Sequence, residues 1–235
     1  MQPERDDETM GRPREFDPDE ALAAALDVFW RKGFEGASMT DLTDAMRITR
    51  PSLYAAFGNK EALFRRALDS YQSTCMAFTL EALSQPTARL VAERMLYGCA
   101  DAQTDARHPP GCLGTNGALA CSTATEPIRL ELVARRNAGE MALRQRLERA
   151  RLEGDLPPEA DPAALASYVM TMMQGMAVQA ASGASRATLY RAVETALGAW
   201  PAAEAALVGP AANAASVAPA TEAALIRKEA VCRTG

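Results

Sequence analysis

Residues 38–57 constrain the fold most, because signals for two short helices and a tight turn lie within 20 residues. Ser38 is followed three residues later by Asp41, a capping-box pattern typical of a helix N-terminus. A second helix begins at Thr49 or at Pro51, since both residue types are favoured at helix starts. Helices this short need tertiary packing to be stable. The stretch therefore predicts a helix-turn-helix, whose second helix would enter the DNA major groove.

Helical periodicity extends through most of the chain, and no segment alternates convincingly at a period of two. Ala, Leu, Met, Arg and Glu are abundant, and these residue types favour helices. Caps and Pro or Gly stop signals divide the sequence into helical segments at about 17–33, 38–46, 49–57, 59–84, 87–106, 112–122, 126–153, 162–182 and 186–200. We therefore expect an all-α fold.

The segments group into four parts. We expect residues 1–16 to be a polar, flexible arm with basic residues, and residues 17–60 to be a three-helix domain that contains the helix-turn-helix. We expect residues 61–200 to form a helical domain. Residues 201–235 contain 13 Ala among 35 positions and lack a strong apolar stripe, so we expect this tail to be disordered.

The overall charge by itself argues against DNA binding. The formal net charge is −5, and the first 60 residues hold eight Lys or Arg against twelve Asp or Glu. The prediction therefore depends on where the cations lie. No run reaches the ~18 apolar residues that a membrane helix needs, and the N-terminal segment has no apolar signal core. We expect a cytoplasmic protein with no membrane partner and no cofactor.

The helix-turn-helix presents a polar face at the start of its second helix. The residues predicted to face inward are Leu42, Ala45, Ile48, Leu53 and Phe57. The residues predicted to face DNA are Thr49, Arg50, Pro51, Ser52 and Tyr54. Arg50 can bond guanine O6 and N7 together, and Tyr54 can donate to a phosphate. The alternative for Tyr54 is that its ring covers the core.

Three further cations fit the same face. Lys60 follows Asn59 at the start of the next helix, where its charge and the free backbone N–H groups can hold a phosphate. Arg12 and Arg14 lie in an extended Gly-Arg-Pro-Arg arm of the kind that reaches a narrow minor groove. The alternatives are a solvated Lys60 and an arm without contacts.

This pattern resembles the tetracycline-repressor (TetR) family. The resemblance rests on Gly33-Phe34 after an amphipathic helix, and on the Tyr-x-x-Phe-x-x-Lys-Glu-x-Leu motif that begins at Tyr54. It covers about residues 11–70 and implies DNA contacts at Thr40, Thr49, Arg50, Ser52, Tyr54 and Lys60. Family members usually have Gly where this chain has Arg47, so Arg47 is strained if that position needs a positive φ, or it adds a phosphate contact. Ala55 and Ala56 replace larger side chains, which shifts base reading towards Arg50 and the hydroxyls.

The segment 162–182 is apolar nearly all round, so both of its faces should be buried. In TetR-like proteins the last two long helices pair with their two-fold mates, which implies a homodimer through about residues 162–200. The small residues Gly175, Ala177, Ala180 and Ala181 allow the close approach that this needs. A two-fold dimer would bind a pseudo-palindromic, double-stranded DNA operator. The resemblance also implies repression, and it implies that the helical domain of residues 61–200 serves ligand sensing and dimerisation.

Cys112 follows Pro109-Pro110-Gly111 and opens a predicted helix, whose N-terminus favours a reactive thiolate. Arg107 would add to this effect. Cys112 is therefore a candidate sensor of an oxidant or electrophile, and the alternative is an inert, packed thiol. The candidate ligand or sensor residues are Cys112, Cys99, Met95, Met172, Met173 and Met176, although plain core methionines are the simpler interpretation.

Two other classes of protein are weighed against the regulator. His108, Cys112 and Cys121 are too few for a metal site, so no metal is predicted. A Cys–His nucleophile pair lacks an orienting partner and an oxyanion hole, so we do not expect an enzyme. A helical protein-interaction module without sequence-specific DNA binding remains the alternative, although it gives no reason for Arg50, Tyr54 and Lys60 to coincide.

Overall fold

The computed structural model describes residues 16–115 and 125–201, and these residues form no strand. The all-α prediction is confirmed. The helices in these ranges are α1 (Pro18–Gly36), α2 (Met39–Met46), α3 (Arg50–Phe57), α4 (Lys60–Thr74), α5 (Phe78–Leu83), α6 (Ala88–Gln103), α7 (Glu126–Leu152), α8 (Pro162–Ala181) and α9 (Arg186–Gly198). A further helical stretch begins at Leu113, and its course beyond Thr115 lies outside the described residues.

Helix α1 begins where the sequence predicts, but at Gly33, where the sequence predicts its end, it bends and continues. The Asp17 carboxylate caps it by accepting the backbone N–H groups of Asp19 and Glu20, at 2.8 and 3.4 Å. Gly33 adopts φ 69° and interrupts the helix, which then adds a last turn that ends at Gly36. A positive φ of this kind favours glycine because it has no Cβ.

The helix-turn-helix is fixed by local caps. The Ser38 hydroxyl accepts the Asp41 N–H at 3.0 Å, and the Asp41 carboxylate accepts the Ser38 N–H at 2.9 Å, so the capping box is complete. Helix α2 ends at Arg47, which is left-handed with φ 54° and ψ 39°. The Thr49 side chain then caps α3 by accepting the Ser52 N–H at 3.3 Å.

The first buried cluster joins helices α1, α2, α3 and α4, here called the head, and it also includes Leu113 and the α7 residues Ile128 and Leu132. Helix α1 packs against α2 and α4, and Phe29, Phe34 and Phe64 meet with ring centroids 5.0–6.3 Å apart. Leu42 and Leu53 are fully buried and attach the two short helices to this cluster. Burial of each large apolar side chain stabilises the fold by roughly 1.5–3 kcal/mol.

Two predictions about the head are wrong in detail. Ala45 is exposed, because Leu42 and Met46, one turn apart, form the buried face of α2. The segment predicted as one helix from Asn59 to residue 84 is broken between Thr74 and Phe78. The break lets the Phe78 ring pack on α6 at Gly98, where an added Cβ would lie only 2.5 Å from that ring.

Helices α5–α9 form a second buried cluster, here called the body. Helix α6 lies at its centre and packs against α5, α8 and α9, while the long helix α7 packs against α8. Met95, Met173 and Met176 are buried in this cluster, and Met172 is half-buried against it. Within the described ranges, each helix is too short or too polar to span a lipid bilayer.

Candidate DNA-binding surface and adjoining cavity

The recognition helix α3 presents its predicted polar face to solvent. Arg50, Pro51 and Tyr54 are exposed, and the 53% exposure of Tyr54 excludes the alternative that its ring covers the core. Leu53 and Phe57 lie buried on the opposite face. The short helix is therefore held from one side and free to contact a groove from the other.

Arg50 and Thr40 come together although they lie on different helices. The Arg50 Nη2 donates to the Thr40 Oγ1 at 3.1 Å, between the start of α3 and the first turn of α2. This bond restrains a side chain that loses much rotamer entropy when it is fixed. The remaining guanidinium donors stay exposed, in an arrangement suited to two acceptors on a guanine edge.

Thr49 and Ser52 are exposed and half-buried respectively, and they are already engaged with each other. Their hydroxyl oxygens are 2.9 Å apart, and the Thr49 oxygen also accepts the Ser52 N–H. The two residues therefore stabilise the N-terminus of α3, and each retains hydrogen-bonding capacity towards solvent. That N-terminus carries the partial positive charge of the helix dipole, which favours an anion.

Arg47 occupies a left-handed turn that Gly would adopt without strain. It is the one non-glycine residue with positive φ among the described residues, and its side chain is exposed beside α3. The left-handed conformation costs a non-glycine residue roughly 1–2 kcal/mol. The backbone strain that the sequence suggested for Arg47 is therefore present, and the exposed guanidinium of Arg47 is available for a phosphate contact.

Lys60 lies at the N-terminus of α4, where Asn59 caps the helix by accepting the Ala62 N–H at 2.8 Å. Its ammonium group is 4.6 Å from the centroid of the Phe34 ring. Burial against that ring lowers the pKa of Lys60, and the nearby Glu35 carboxylate partly offsets the effect. Lys60 is half-buried and anchored, which differs from a freely solvated lysine.

Two cations that the sequence did not single out support this surface. Arg66 donates to the Ala56 carbonyl at 3.1 Å and lies 4.8 Å from the Phe57 ring centroid, so it satisfies the C-terminal end of α3. Lys32 lies 2.6 Å from Asp41 and closes the capping box of α2. No sequence motif marks Arg66 or Lys32, because each one bonds a residue on a neighbouring helix rather than one at a fixed spacing on its own helix. Arg12 and Arg14 lie outside the described residues.

The head contacts the loop that follows α6 through Trp30. The Trp30 Nε1–H donates to the Gly111 carbonyl at 3.3 Å, and its indole stacks on the His108 ring with centroids 4.8 Å apart. The Tyr71 ring meets Trp30 edge-on, and its hydroxyl donates to the Cys112 Sγ at 3.3 Å. Cys112 is therefore half-buried at the contact between head and loop.

The environment of Cys112 differs from the expected one in one respect. The Arg107 guanidinium pairs with the Asp105 carboxylate, and this pairing holds the pKa of Asp105 well below its usual range. The Arg107 charge is therefore already matched, rather than available to a Cys112 thiolate. Cys112 immediately precedes the helical residues that begin at Leu113, as predicted.

A cavity of about 560 Å³ lies beside Cys112, between α4, α5, α6, α7 and α8. Met95, Met173 and Cys112 are the predicted sensor residues that line it. Cys99 is buried behind the wall, where burial raises the pKa of its thiol well above the usual value. Met172 and Met176 do not line this cavity. The polar lining residues Tyr71 and Gln103 were not predicted, although Gln103 follows buried Cys99 by one helical turn.

Comparison with known proteins agrees with this geometry. Residues 21–67 match the model for bacterial regulatory proteins of the tetR family, and residues 86–196 match a tetracyclin repressor-like C-terminal domain. The HTH-type transcriptional repressor ComR of Escherichia coli (strain K12) is 34% identical over 193 residues, which cover 81% of this chain and 92% of ComR.

This chain belongs to the TetR family. An uncharacterized HTH-type regulator of Bacillus subtilis (strain 168), YezE, is 32% identical, over 68% of this chain and 84% of YezE. A cysteine mutant of the TetR family regulator CifR, complexed with a 26-base-pair double-strand operator, is 41% identical with a TM-score of 0.77, over 81% of this chain and all of that one. The chain is therefore a DNA-binding transcriptional regulator with an N-terminal helix-turn-helix and a helical C-terminal domain.

Proposed function

We propose that this regulator is a cytoplasmic, non-enzymatic repressor, a homodimer that binds a pseudo-palindromic operator and leaves it when an effector binds. The observation that carries the proposal is an exposed stripe on α8. Ala164, Tyr168, Thr171, Gly175 and Val178 are all exposed and recur at alternating spacings of four and three residues. That spacing places them on one helix face, where a second copy can cover them.

Helix α9 continues the same kind of face. Its exposed positions include Ala187, Arg191, Glu194 and Gly198, which share one side of the helix. In a two-fold dimer the same surface of both copies meets in opposite directions, so Arg191 of one copy can pair with Glu194 of the other. Helices α8 and α9 of two copies would form a four-helix interface in the region predicted from the sequence, about residues 162–200.

The operator contacts follow from the exposed face of the head. We assign base reading to Arg50, supported by Thr40, and phosphate contacts to Tyr54, Lys60 and Arg47. Thr49, Pro51 and Ser52 would approach the backbone at the N-terminus of α3, and Arg12 and Arg14 would enter the minor groove. Two heads related by a two-fold axis would occupy successive major grooves and read inverted half-sites.

Release of the operator would come from the region around the cavity. Cys112 and the lining residues Met95 and Met173 contact the effector in this proposal, and Cys99 lies behind them. Cys112 is bonded to Tyr71, which packs on Trp30 of α1, so a change at the thiol has a short path to the head. A ligand or a modified thiol would stabilise a head spacing that no longer fits DNA.

The dimer is tested by Gly175→Glu, because an added Cβ at Gly175 meets nothing within 4 Å in the single chain. Gly139→Glu is the matched control, since Gly139 is also helical, exposed and open but lies on α7. Sedimentation velocity should give dimers for the wild type and Gly139→Glu, and monomers for Gly175→Glu. A dimeric Gly175→Glu protein would show that the interface lies elsewhere.

The role of Cys112 is tested by limited N-ethylmaleimide treatment in a background where Cys121 and Cys232 are replaced by Ser. We expect mass spectrometry to find Cys112 modified before the buried Cys99, and operator binding to fall as the adduct forms. The Cys112→Ser variant should keep binding the operator under the same treatment. Unchanged operator binding with Cys112 fully modified would exclude a thiol switch.

A further inference from the structure

The cavity wall contains a buried side chain whose hydrogen bonding is incomplete. Gln103 is 3% exposed, and its Nε2 donates to the Met173 carbonyl at 3.2 Å and to the Cys99 Sγ at 2.9 Å. A carbonyl oxygen can only accept a hydrogen bond, so the Met173 carbonyl requires the Gln103 amide to turn its Nε2 towards it, which fixes the orientation of that amide. The Gln103 Oε1 is buried without a hydrogen-bond partner among the described residues. Leaving an acceptor in this state is unfavourable. Because the Oε1 atom has almost no exposed surface, a donor in the cavity would bond it once the Gln103 side chain or its neighbours shift locally.

The rest of the cavity does not favour a charged guest. Much of its lining is apolar, and these residues are Leu68, Met76, Leu80, Leu83, Met95, Leu132, Met170 and Met173. The Arg135 guanidinium in the wall already pairs with Asp69 and Glu131, both at 2.7–2.8 Å. Arg136 is half-exposed, so water can solvate its charge. The free energy lost when an anion leaves water for such a cavity would exceed the free energy gained by its pairing with Arg136, whose charge water already solvates.

A second polar group at the cavity has the same hydrogen-bonding character. Tyr71 lines the cavity, and its hydroxyl donates its proton to the Cys112 Sγ, so the Tyr71 oxygen has only acceptor capacity left. Gln103 is connected to this end of the cavity through its backbone carbonyl, which accepts the Gly111 N–H at 3.1 Å beside Cys112. Two acceptors, the Gln103 Oε1 and the Tyr71 hydroxyl oxygen, therefore accompany a lining that is largely apolar.

We propose that the cavity binds an uncharged, mainly apolar small molecule that carries a hydroxyl or N–H donor, and that this donor bonds the Gln103 Oε1. The proposal rests on the proposed function, because it names the chemical class of the effector. A volume of about 560 Å³ suits a small organic molecule rather than a single water or ion. The flexible Met side chains can adapt to its shape.

The same glutamine is linked to the head. Its backbone carbonyl accepts the Gly111 N–H, and the Gly111 carbonyl accepts the Trp30 Nε1–H at 3.3 Å. The backbone of one residue, Gly111, thus connects the backbone of Gln103 on α6 to the Trp30 indole on α1. A ligand that moves Gln103 would move Gly111 and Trp30, and by linkage operator DNA would weaken binding of the ligand by the same factor.

The test uses two sets of probes on the full chain, each with a donor, its methyl ether and an anion. The first set is 2-naphthol, 2-methoxynaphthalene and 2-naphthoate, and the second is 1-octanol, methyl octyl ether and octanoate. Calorimetric titration should show at least one alcohol binding about tenfold more tightly than its ether and its carboxylate, as one buried hydrogen bond predicts. The Gln103→Leu variant should bind that alcohol and its ether equally.

Gln174→Leu is the matched control, because Gln174 also lines the cavity. It should keep the preference for the alcohol, and loss of the preference in Gln174→Leu would overturn the assignment to Gln103. The absence of alcohol binding in both sets, equal binding of alcohol and ether, or tighter binding of a carboxylate would each overturn the proposed ligand class. These titrations need no DNA, so they test the ligand class even if the protein fails to bind an operator as proposed.

Coupling is measured by operator affinity with and without the alcohol. The Trp30→Phe variant lacks the Nε1–H and should still bind the alcohol more tightly than the ether. The alcohol should lower the operator affinity of this variant less than it lowers that of the wild type. Equal weakening in both proteins would remove the Gly111 link from the proposal.

Discussion

The head and the body differ in how far along the chain their polar contacts reach. In the head, the bonds that shape the recognition helix join residues three to ten positions apart, such as Ser38 with Asp41 and Arg50 with Thr40. Around the cavity, Gln103 bonds Met173 across 70 positions, and Trp30 bonds Gly111 across 81. The candidate DNA-binding surface therefore depends on local sequence, whereas the lining of the cavity depends on packing between distant helices.

Mutation of the head core should give the largest effect on stability and show how far the head folds on its own. Leu53→Ala removes a fully buried side chain from α3, and we expect a loss of roughly 2–5 kcal/mol in the free energy of unfolding. Urea unfolding measures this, with Leu152→Ala as the exposed control. A loss below about 1 kcal/mol would mean that α3 is held by contacts other than this core.

Loss of the capping box should give a smaller effect that is confined to the head. Ser38→Ala removes the acceptor for the Asp41 N–H, and we expect a loss of about 1 kcal/mol. Hydrogen exchange should show faster exchange in α2, while α6 and α8 keep their protection. Equal acceleration in the body would contradict the separation between local and long-range contacts.

Arg47 should give an effect of opposite sign. Arg47→Gly removes the left-handed strain but adds flexibility to the unfolded chain, so we expect a gain of about 0.5–1 kcal/mol in stability. Arg47→Lys keeps both the strain and the charge and serves as the control. If the operator affinity falls in Arg47→Gly but not in Arg47→Lys, the cation contacts phosphate. An unchanged affinity in both variants would show that it does not.

The capping box should also give the head a weak acid dependence. The bonds from Lys32 and Ser38 lower the pKa of Asp41 from 3.8 to about 2 in the folded protein. A lowered folded pKa means that the contribution is present above about pH 4 and is lost as the pH falls towards 2. The stability difference between wild type and Asp41→Asn should therefore shrink over that window. A difference that stays constant would contradict the role of the ionised carboxylate.

Prediction from sequence succeeded where the contacts are local. The caps at Asp17, Ser38 and Asn59 and the exposure of Tyr54 follow from residue type and spacing, and the all-α fold follows from periodicity. The break after Thr74 could not be predicted, because it depends on the fit of Phe78 against Gly98 in another helix. Gln103 had only a weak signal, since its partner Met173 lies on a helix that sequence spacing does not place beside it.

The contact assignments on α3 are the central claim, and selection of DNA sites from a random library tests them most directly. Purified wild-type protein in reducing buffer at a stated salt concentration should enrich a pseudo-palindrome with half-sites about one helical turn apart or a multiple of it. Arg50→Ala should bind that site roughly 5- to 150-fold more weakly, whereas Arg144→Ala, on the exposed surface of α7, should bind it normally. Enrichment of no sequence by a folded dimer, or full affinity in Arg50→Ala, would contradict the account.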